Sequence, residues 1–403
     1  MYARSTTSRP KPAVSQLPSL TSLRGLAALW VVLFHYTALY LPRLDITGHS
    51  SLIGKGYLAV DLFFMLSGFV MTHVYYRAFC QSVKDNYRSF MVARIARLYP
   101  LHLVVLLLFI ATALLLQLSA YASGGTAEGI PLTGTRSLAA AVANLFMLQG
   151  LSAEHLSWNF PSWSISVEFM AYLAFPLVQP WVWRATGRIQ VILLLVNGAT
   201  LGLFTYLSGG DFNQWSGPLV LLRCLPEFLL GTLIYGAYRA GLWADWFESD
   251  AIALIALAVA VVCLHLRAPD LLIVALFPVL VLAAVNNNQN VARAINVAPL
   301  VWLGEISYSL YLIHGFVQYA ATAALDHFGL HERADLSIGL SLALLALMLV
   351  VCFAGAHLSY RGIEIGCRKH LRALLGSDGA AKPKPATPRD RQPAGWRTGR
   401  LAA

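Results

Sequence analysis

Apolar runs of near bilayer-crossing length recur along almost the whole chain, near residues 20–40, 57–76, 98–119, 165–183, 190–207, 218–238, 251–266, 270–286, 299–324 and 336–358. Hydrocarbon offers no partner to a backbone N–H or C=O, so a spanning helix has to close its own hydrogen bonds. About 20 residues of helix cover the hydrocarbon core. Composition agrees: 58% of the residues are hydrophobic and 12% charged, where a soluble domain carries about a quarter charged. The chain therefore reads as all-α, a single polytopic membrane helical bundle, rather than the two or three soluble domains that 403 residues suggest.

One further run, 137–150, is weaker, and charge decides how to count it. Basic residues gather in the stretch 78–97 (Lys84, Arg88, Arg94, Arg97), in the gap 184–189 (Arg184, Arg188) and near the C-terminus (Arg361, Arg368, Lys369, Arg372). About ten transmembrane helices put all of these clusters and the basic N-terminal tail on one side; an eleventh would throw the later ones across. The positive-inside rule thus predicts ten spans with both termini cytoplasmic, and makes 137–150 a helix on or dipping into the outer face. The expected organisation is a cytoplasmic tail over 1–17, a transmembrane domain over 18–373 and a disordered basic cytoplasmic tail over 374–403. The polar, basic residues 1–19 do not look like a cleavable leader.

The net charge of +10 sits in loops and tails between apolar runs. That is the pattern of topology signals and anionic-lipid contacts, so no nucleic-acid partner is expected. The five cysteines are scattered, with no CxxC pair, and the eleven histidines show no ligand spacing. No disulfide framework and no metal site are expected.

Ionisable groups inside spans are costly and mark function. The first span holds Arg24 and His35. Eleven residues return to within about 20° of one helix face with a rise of about 16 Å, so the arginine lies near the cytoplasmic boundary and the imidazole in the outer half. That separation matches an extended pantetheine arm, with the arginine on the phosphates of coenzyme A and the thioester at the histidine. The bland reading is a snorkelling arginine and a packing histidine. Asp61, in the second span, falls at nearly the depth of His35, roughly 6 Å against 8 Å below the outer surface. A carboxylate there would fix the imidazole tautomer and raise its basicity; otherwise Asp61 is a helix N-cap. The adjacent Ser67-Gly68 reads as a close-packing element.

Glu168 begins the fourth span at outer depth, where it would orient an acceptor hydroxyl or share base duty. Trp158 and Trp163 beside it either stack on a sugar face or, the preferred reading, belong to the interfacial aromatic belt. Arg94 and Arg97 share a helix face on the inner side and suit phosphate, although positive-inside signalling alone also accounts for them. Arg223 and Glu227, four apart, read as a structural pair. In the ninth span Tyr308, Tyr311 and His314 follow one another within three turns, His314 at the depth of His35 and able to line the same cavity, the tyrosines equally readable as packing residues. The arginines are inner, whereas His35, Asp61, Glu168 and His314 are outer, as a donor met inside and an acceptor met outside require.

At these residues the chain resembles the membrane-bound acyltransferase family 3. The family's Arg-x10-His appears as Arg24 and His35. A Gly-Asp-Phe-Ser-Gly-Phe element appears, with slightly altered spacing, as Gly56, Asp61, Phe64, Ser67, Gly68 and Phe69. Arg-x-x-Arg-x-Tyr-Pro is matched by Arg94, Arg97, Tyr99 and Pro100, and Trp-Ser-x-x-x-Glu by Trp163, Ser164 and Glu168. Ser-Tyr-x-x-Tyr-Leu-x-His is matched by Ser307, Tyr308, Tyr311, Leu312 and His314, and the closing Tyr-Arg-x-x-Glu by Tyr360, Arg361 and Glu364. Phe169 stands where the family often has a second acid, and Ile365-Gly366 replaces its usual Glu-x-Pro continuation.

The resemblance implies a multi-pass enzyme of the bacterial cytoplasmic (inner) membrane. It would move acetyl or another short acyl group from acyl-CoA to a hydroxyl of an extracytoplasmic carbohydrate, such as O-antigen, exopolysaccharide or lipo-oligosaccharide. No cofactor is permanently bound in this scheme; acyl-CoA is the donor substrate and the lipid bilayer the standing partner. His35, Asp61 and Glu168 are the catalytic candidates. Arg24, Arg94 and Arg97 would bind the donor, and Trp163, Ser164, Tyr308 and His314 would contact substrate. The competing reading is a non-catalytic transporter or flippase of a lipid-linked sugar, for which buried ionisable residues are equally apt.

Overall fold

The computed structural model describes residues 17–122, 133–152, 157–213 and 217–374. Apart from their innermost residues, the two expected tails lie outside the described residues. All described secondary structure is helical.

Helix α1, Pro18–Tyr40, opens with proline at its first position, where no backbone N–H is lost. Its last turns, Phe34–Tyr40, widen to π geometry, with Leu41 N–H reaching Tyr36 O five residues back at 3.0 Å. Helix α2, Gly56–Gln81, returns across the bundle. Helix α3, Val83–Ala122, has 40 residues and is about 60 Å long. That is twice the hydrocarbon core, and its N-terminal half carries Lys84, Arg88, Arg94 and Arg97.

Helix α4, Leu138–Leu145, has eight residues, about 12 Å, so the segment 137–150 does not cross. It is held from both ends. The Ser137 hydroxyl caps it by accepting from Ala140 N–H, and the buried Asn144 amide donates to Ser157 Oγ at 2.7 Å.

Helices α5 (Phe160–Arg184), α6 (Gly187–Leu207) and α7 (Gly217–Ala240) follow, then the short apolar α8 (Asp250–His265) and α9 (Asp270–Asn286). Helices α10 (Ala298–Glu305) and α11 (Ser307–His327) meet at a bend of 65°, and α12 runs over Ile338–Leu371. Among the described residues seven helices are long and apolar enough to span, or eight if the bent pair is one span. Ten spans require α8 and α9, at 16 and 17 residues, to cross as well.

The chain is a multi-pass membrane protein, and its surface is apolar in keeping with that. Leu115, Leu118, Trp181, Leu195 and Val350 point outward, while Asp61, Arg223, Glu227 and His314 are buried. Helix α2 runs through the middle and packs on α7 with backbone against backbone. A Cβ on Gly68 would collide with Phe228 O, and one on Gly231 with Met65 O. The Gly68 half of the Ser67-Gly68 element is therefore a packing device, as its small size suggested.

Candidate active site

The bend between α10 and α11 leaves the Gly304 carbonyl open to side chains, and the site begins there. Arg24 on α1 donates from Nη2 to Gly304 O at 2.9 Å and from Nε to Ser307 Oγ at 3.0 Å, while the Ser307 hydroxyl also donates to Gly304 O. Two bonds fix the guanidinium plane, and Arg24 lines a cavity of about 360 Å³.

Arg94 and Arg97 from α3 line the same cavity, together with Ser164, Glu168 and Tyr308. Arg94 is nearly buried, packed between the rings of Tyr75, Phe90 and Tyr172 at 5.5–5.8 Å, with Nη2 on Tyr75 Oη at 3.3 Å. Its Nε has no hydrogen-bond partner among the described residues. The aromatic faces and the Tyr75 hydroxyl hold the guanidinium in the cavity wall.

Glu168 sits on this arginine side, not with the histidines at outer depth. Its Oε1 accepts from the Ser67 hydroxyl and from Tyr172 Oη at 2.6 Å. Sequence reasoning missed both partners. Tyr172 lies four residues on, within reach on the same helix face, and that spacing was the available signal. Tyr308 donates to Leu98 O at 2.5 Å, and Ser164 and Tyr311 share a hydrogen bond of 2.7 Å.

The two histidines meet beyond Tyr311, and neither of them lines this cavity. The His35 and His314 ring centroids are 5.0 Å apart, and Tyr311, which lines the cavity, is 5.6 Å from His314. His35 Nδ1 lies 2.9 Å from Val31 O. A carbonyl can only accept, so the proton resides on Nδ1 and Nε2 keeps its lone pair. The widened turns of α1 begin at Phe34, one residue before this imidazole. His314 is fully buried, and neither of its nitrogens has a hydrogen-bond partner among the described residues.

Phe160 packs on both rings, at 4.9 Å from His35 and 5.7 Å from His314. It also lines a second cavity of about 440 Å³, bounded by α3, α11 and the segments on either side of α4. Neither imidazole lines either cavity; Tyr311 links His314 to the one walled by Arg24, Arg94 and Arg97, and Phe160 links both rings to the second. Neither Phe160 nor the second cavity was read from the sequence.

Three expectations are corrected. Asp61 does not pair with His35. Its carboxylate is taken by Arg223 in a two-pronged, fully buried bridge, Nε to Oδ1 at 2.7 Å and Nη2 to Oδ2 at 2.6 Å. A fork-to-fork fit satisfies four polar atoms at once, which a single imidazole N–H cannot. Arg223 accordingly bonds to Asp61 rather than Glu227, whose two oxygens have no hydrogen-bond partner among the described residues. Trp158 and Trp163 are buried instead of forming a belt. Trp163 packs on the Arg223 guanidinium at 5.5 Å, and Trp158 donates to Ser137 O.

The sequence matches the family described as "Acyltransferase domain" over residues 17–357. Acyltransferase MdmB of Streptomyces mycarofaciens is 28% identical over 93% of this chain and 97% of its own length. O-acetyltransferase OatA of Staphylococcus aureus is 22% identical over 88% of this chain, which spans 57% of that longer protein. No solved structure matches. With the match covering most of the chain, and a bundle of membrane-spanning helices carrying the family's polar motifs inside, the chain belongs to the membrane-bound acyltransferase family 3.

Proposed function

We propose that this enzyme transfers an acetyl or other short acyl group from acyl-CoA to a hydroxyl of an extracytoplasmic carbohydrate at the bacterial cytoplasmic membrane. The observation that supports the reading most is a cavity walled by Arg24, Arg94 and Arg97 with a histidine pair close by: Tyr311 lines that cavity and packs on His314, which stands 5.0 Å from His35. Coenzyme A has several phosphate charges and a long thin arm. Arg24, Arg94 and Arg97 supply the matching cations. Oxygen as the accepting atom is suggested by the O-acetyltransferase relative.

In the step proposed, His35 Nε2 removes the acceptor hydroxyl proton as that oxygen attacks the thioester carbonyl. The C–S bond breaks, an ester C–O bond forms, and the coenzyme A thiolate takes the proton back from the imidazolium. Val31 O holds Nδ1–H throughout and stabilises the imidazolium without a carboxylate. Glu168, bound by Ser67 and Tyr172, offsets part of the arginine charge around the donor. Asp61 and Arg223 brace α2 against α7 and take no part in the transfer.

The test is thiol release from acetyl-CoA by the purified protein in proteoliposomes, with and without His35→Ala. Release that depends on His35 supports the enzyme. Movement of a lipid-linked sugar with no thiol released supports the carrier instead. Mass spectrometry of surface glycans from cells with and without the gene then reports the acyl mass and the acceptor together.

A further inference from the structure

We infer that the acyl group of the donor lies at the Tyr311 end of the arginine-walled cavity, that it is an uncharged aliphatic chain, and that Phe63 sets its length. The inference rests on the acyl-transfer reading above and adds the chemical class of the group transferred.

The cavity changes character along its length. On α2 its lining runs from Val60 to Val74, about 21 Å of helix. Contacts between helices show which residues share a level. Near one end Arg94 packs on Tyr75 of α2 and Tyr172 of α5. In the middle Ser67 donates to Glu168. At the other end Phe63 packs on Tyr311 at 5.8 Å, Phe64 packs on Trp163 at 6.2 Å, and Ser164 bonds to Tyr311. Arg24 bonds to Ser307, and Tyr308 bonds to Leu98 beside Arg97, about a turn before Tyr311 on α11. Past that level the lining is Val60, Phe63, Phe64, Ser164, Ile165 and Tyr311, with no charged side chain among the described residues.

Phosphates held by the arginines direct the arm toward Tyr311, which packs on His314 beside His35. The acyl group then rests in the uncharged end. The Ser164 and Tyr311 hydroxyls have two hydrogens between them, and the protein uses both. Their oxygens are 2.7 Å apart, and Pro161 O lies 2.9 Å from Tyr311 Oη and 3.3 Å from Ser164 Oγ. A carboxylate on the acyl chain would lose its water there and meet neither a cation nor a spare side-chain donor. Methylene groups gain from the same wall. Five of the six lining residues at this end are buried, whereas Phe63 is half-buried. Its ring is therefore the surface that a longer chain meets.

The experiment uses full-length protein in proteoliposomes and follows His35-dependent thiol release from acetyl-, butyryl-, hexanoyl- and succinyl-CoA. Butyryl and succinyl groups have equal carbon counts and differ by a carboxylate. The kcat/KM for succinyl-CoA should lie about 10-fold or more below that for butyryl-CoA, because an unpaired charge has to be buried. A smaller difference overturns the chemical class. Hexanoyl-CoA should lie about 10-fold or more below butyryl-CoA, on the scale at which a filled apolar pocket rejects added methylenes. Phe63→Ala should narrow that gap about 10-fold, and Phe63→Leu should narrow it part of the way. Each ratio is read on a single preparation, so loss of folded protein cancels. A hexanoyl-to-butyryl ratio that neither variant shifts overturns the role of Phe63. Absence of His35-dependent release from all of these donors strikes the acyl-transfer reading itself, and this inference with it.

Discussion

The His35 and His314 imidazoles stand 5.0 Å apart, centroid to centroid, on two helices that meet beneath Phe160. Only one of them has its proton placed by the protein. His35 gives Nδ1–H to Val31 O, four residues earlier on its own helix, and so presents Nε2 as a base.

Replacement of His35 follows from that asymmetry. His35→Ala should lower kcat by about 10²–10⁴-fold, the usual share of a positioned general base. His35→Asn keeps a donor for Val31 O but has no basic nitrogen, and should be equally impaired. Both variants should reach the membrane at wild-type level, since among the described residues the ring's hydrogen bond is to its own helix. A variant with more than a tenth of wild-type turnover would remove His35 from the chemistry.

Loss of a cavity arginine should appear in donor affinity. Arg94→Ala removes a cation from the wall of that cavity, and a charge-assisted bond to phosphate contributes about 1.5–3 kcal/mol. The expected rise in the half-saturating acetyl-CoA concentration is about 10- to 100-fold, with a smaller effect on kcat. Arg94→Lys should recover little, because a point charge cannot replace a planar fork stacked among Tyr75, Phe90 and Tyr172. An unchanged dependence on acetyl-CoA would take Arg94 out of the donor site.

What could be read from the chain was set by one-dimensional spacing. The Arg94 and Arg97 pair and the nearness of His314 to His35 follow from helical period and depth along a span, and six of the ten candidate residues, Arg24, Arg94, Arg97, Ser164, Glu168 and Tyr308, line one cavity, whereas His35, Asp61, Trp163 and His314 do not. Partners across helices were not legible. Depth offered Asp61 to His35, and a spacing of four residues offered Glu227 to Arg223; the actual pairing depends on helix rotation and on which groups fit face to face. Trp158 and Trp163 look interfacial by position, yet the fold of residues 157–163 turns them inward. Ser67 was read for its size, and its hydroxyl instead serves Glu168.

Close contact between α2 and α7 gives a prediction about stability alone. At Gly68 any side chain meets the Phe228 carbonyl, and backbone cannot yield as a flexible side chain can. Gly68→Ala should force the helices apart and destabilise by about 1–3 kcal/mol, the usual cost of overpacking. A lowered melting temperature in detergent, with less folded protein recovered, is the readout. Wild-type stability would mean that α2 and α7 are not held backbone to backbone.

The bridge between Asp61 and Arg223 separates a bracing role from a catalytic one. Both groups are fully buried, so Asp61→Ala leaves a guanidinium without its partner and should destabilise by about 3–5 kcal/mol. Activity would fall in step with folded protein, which taken alone resembles loss of a catalytic acid. The double variant Asp61→Leu, Arg223→Met removes both charges and keeps the volume, and such exchanges are often neutral or stabilising. It should recover most of the folded protein, and each folded molecule should turn over acetyl-CoA within about threefold of wild type, because His35 takes its orientation from Val31 O and not from a carboxylate. Measurement of turnover per folded molecule, by active protein counted after size exclusion, decides the matter. Full folding with turnover lost by about 10²-fold or more, the scale on which acid–base groups act, would return Asp61 to the chemistry.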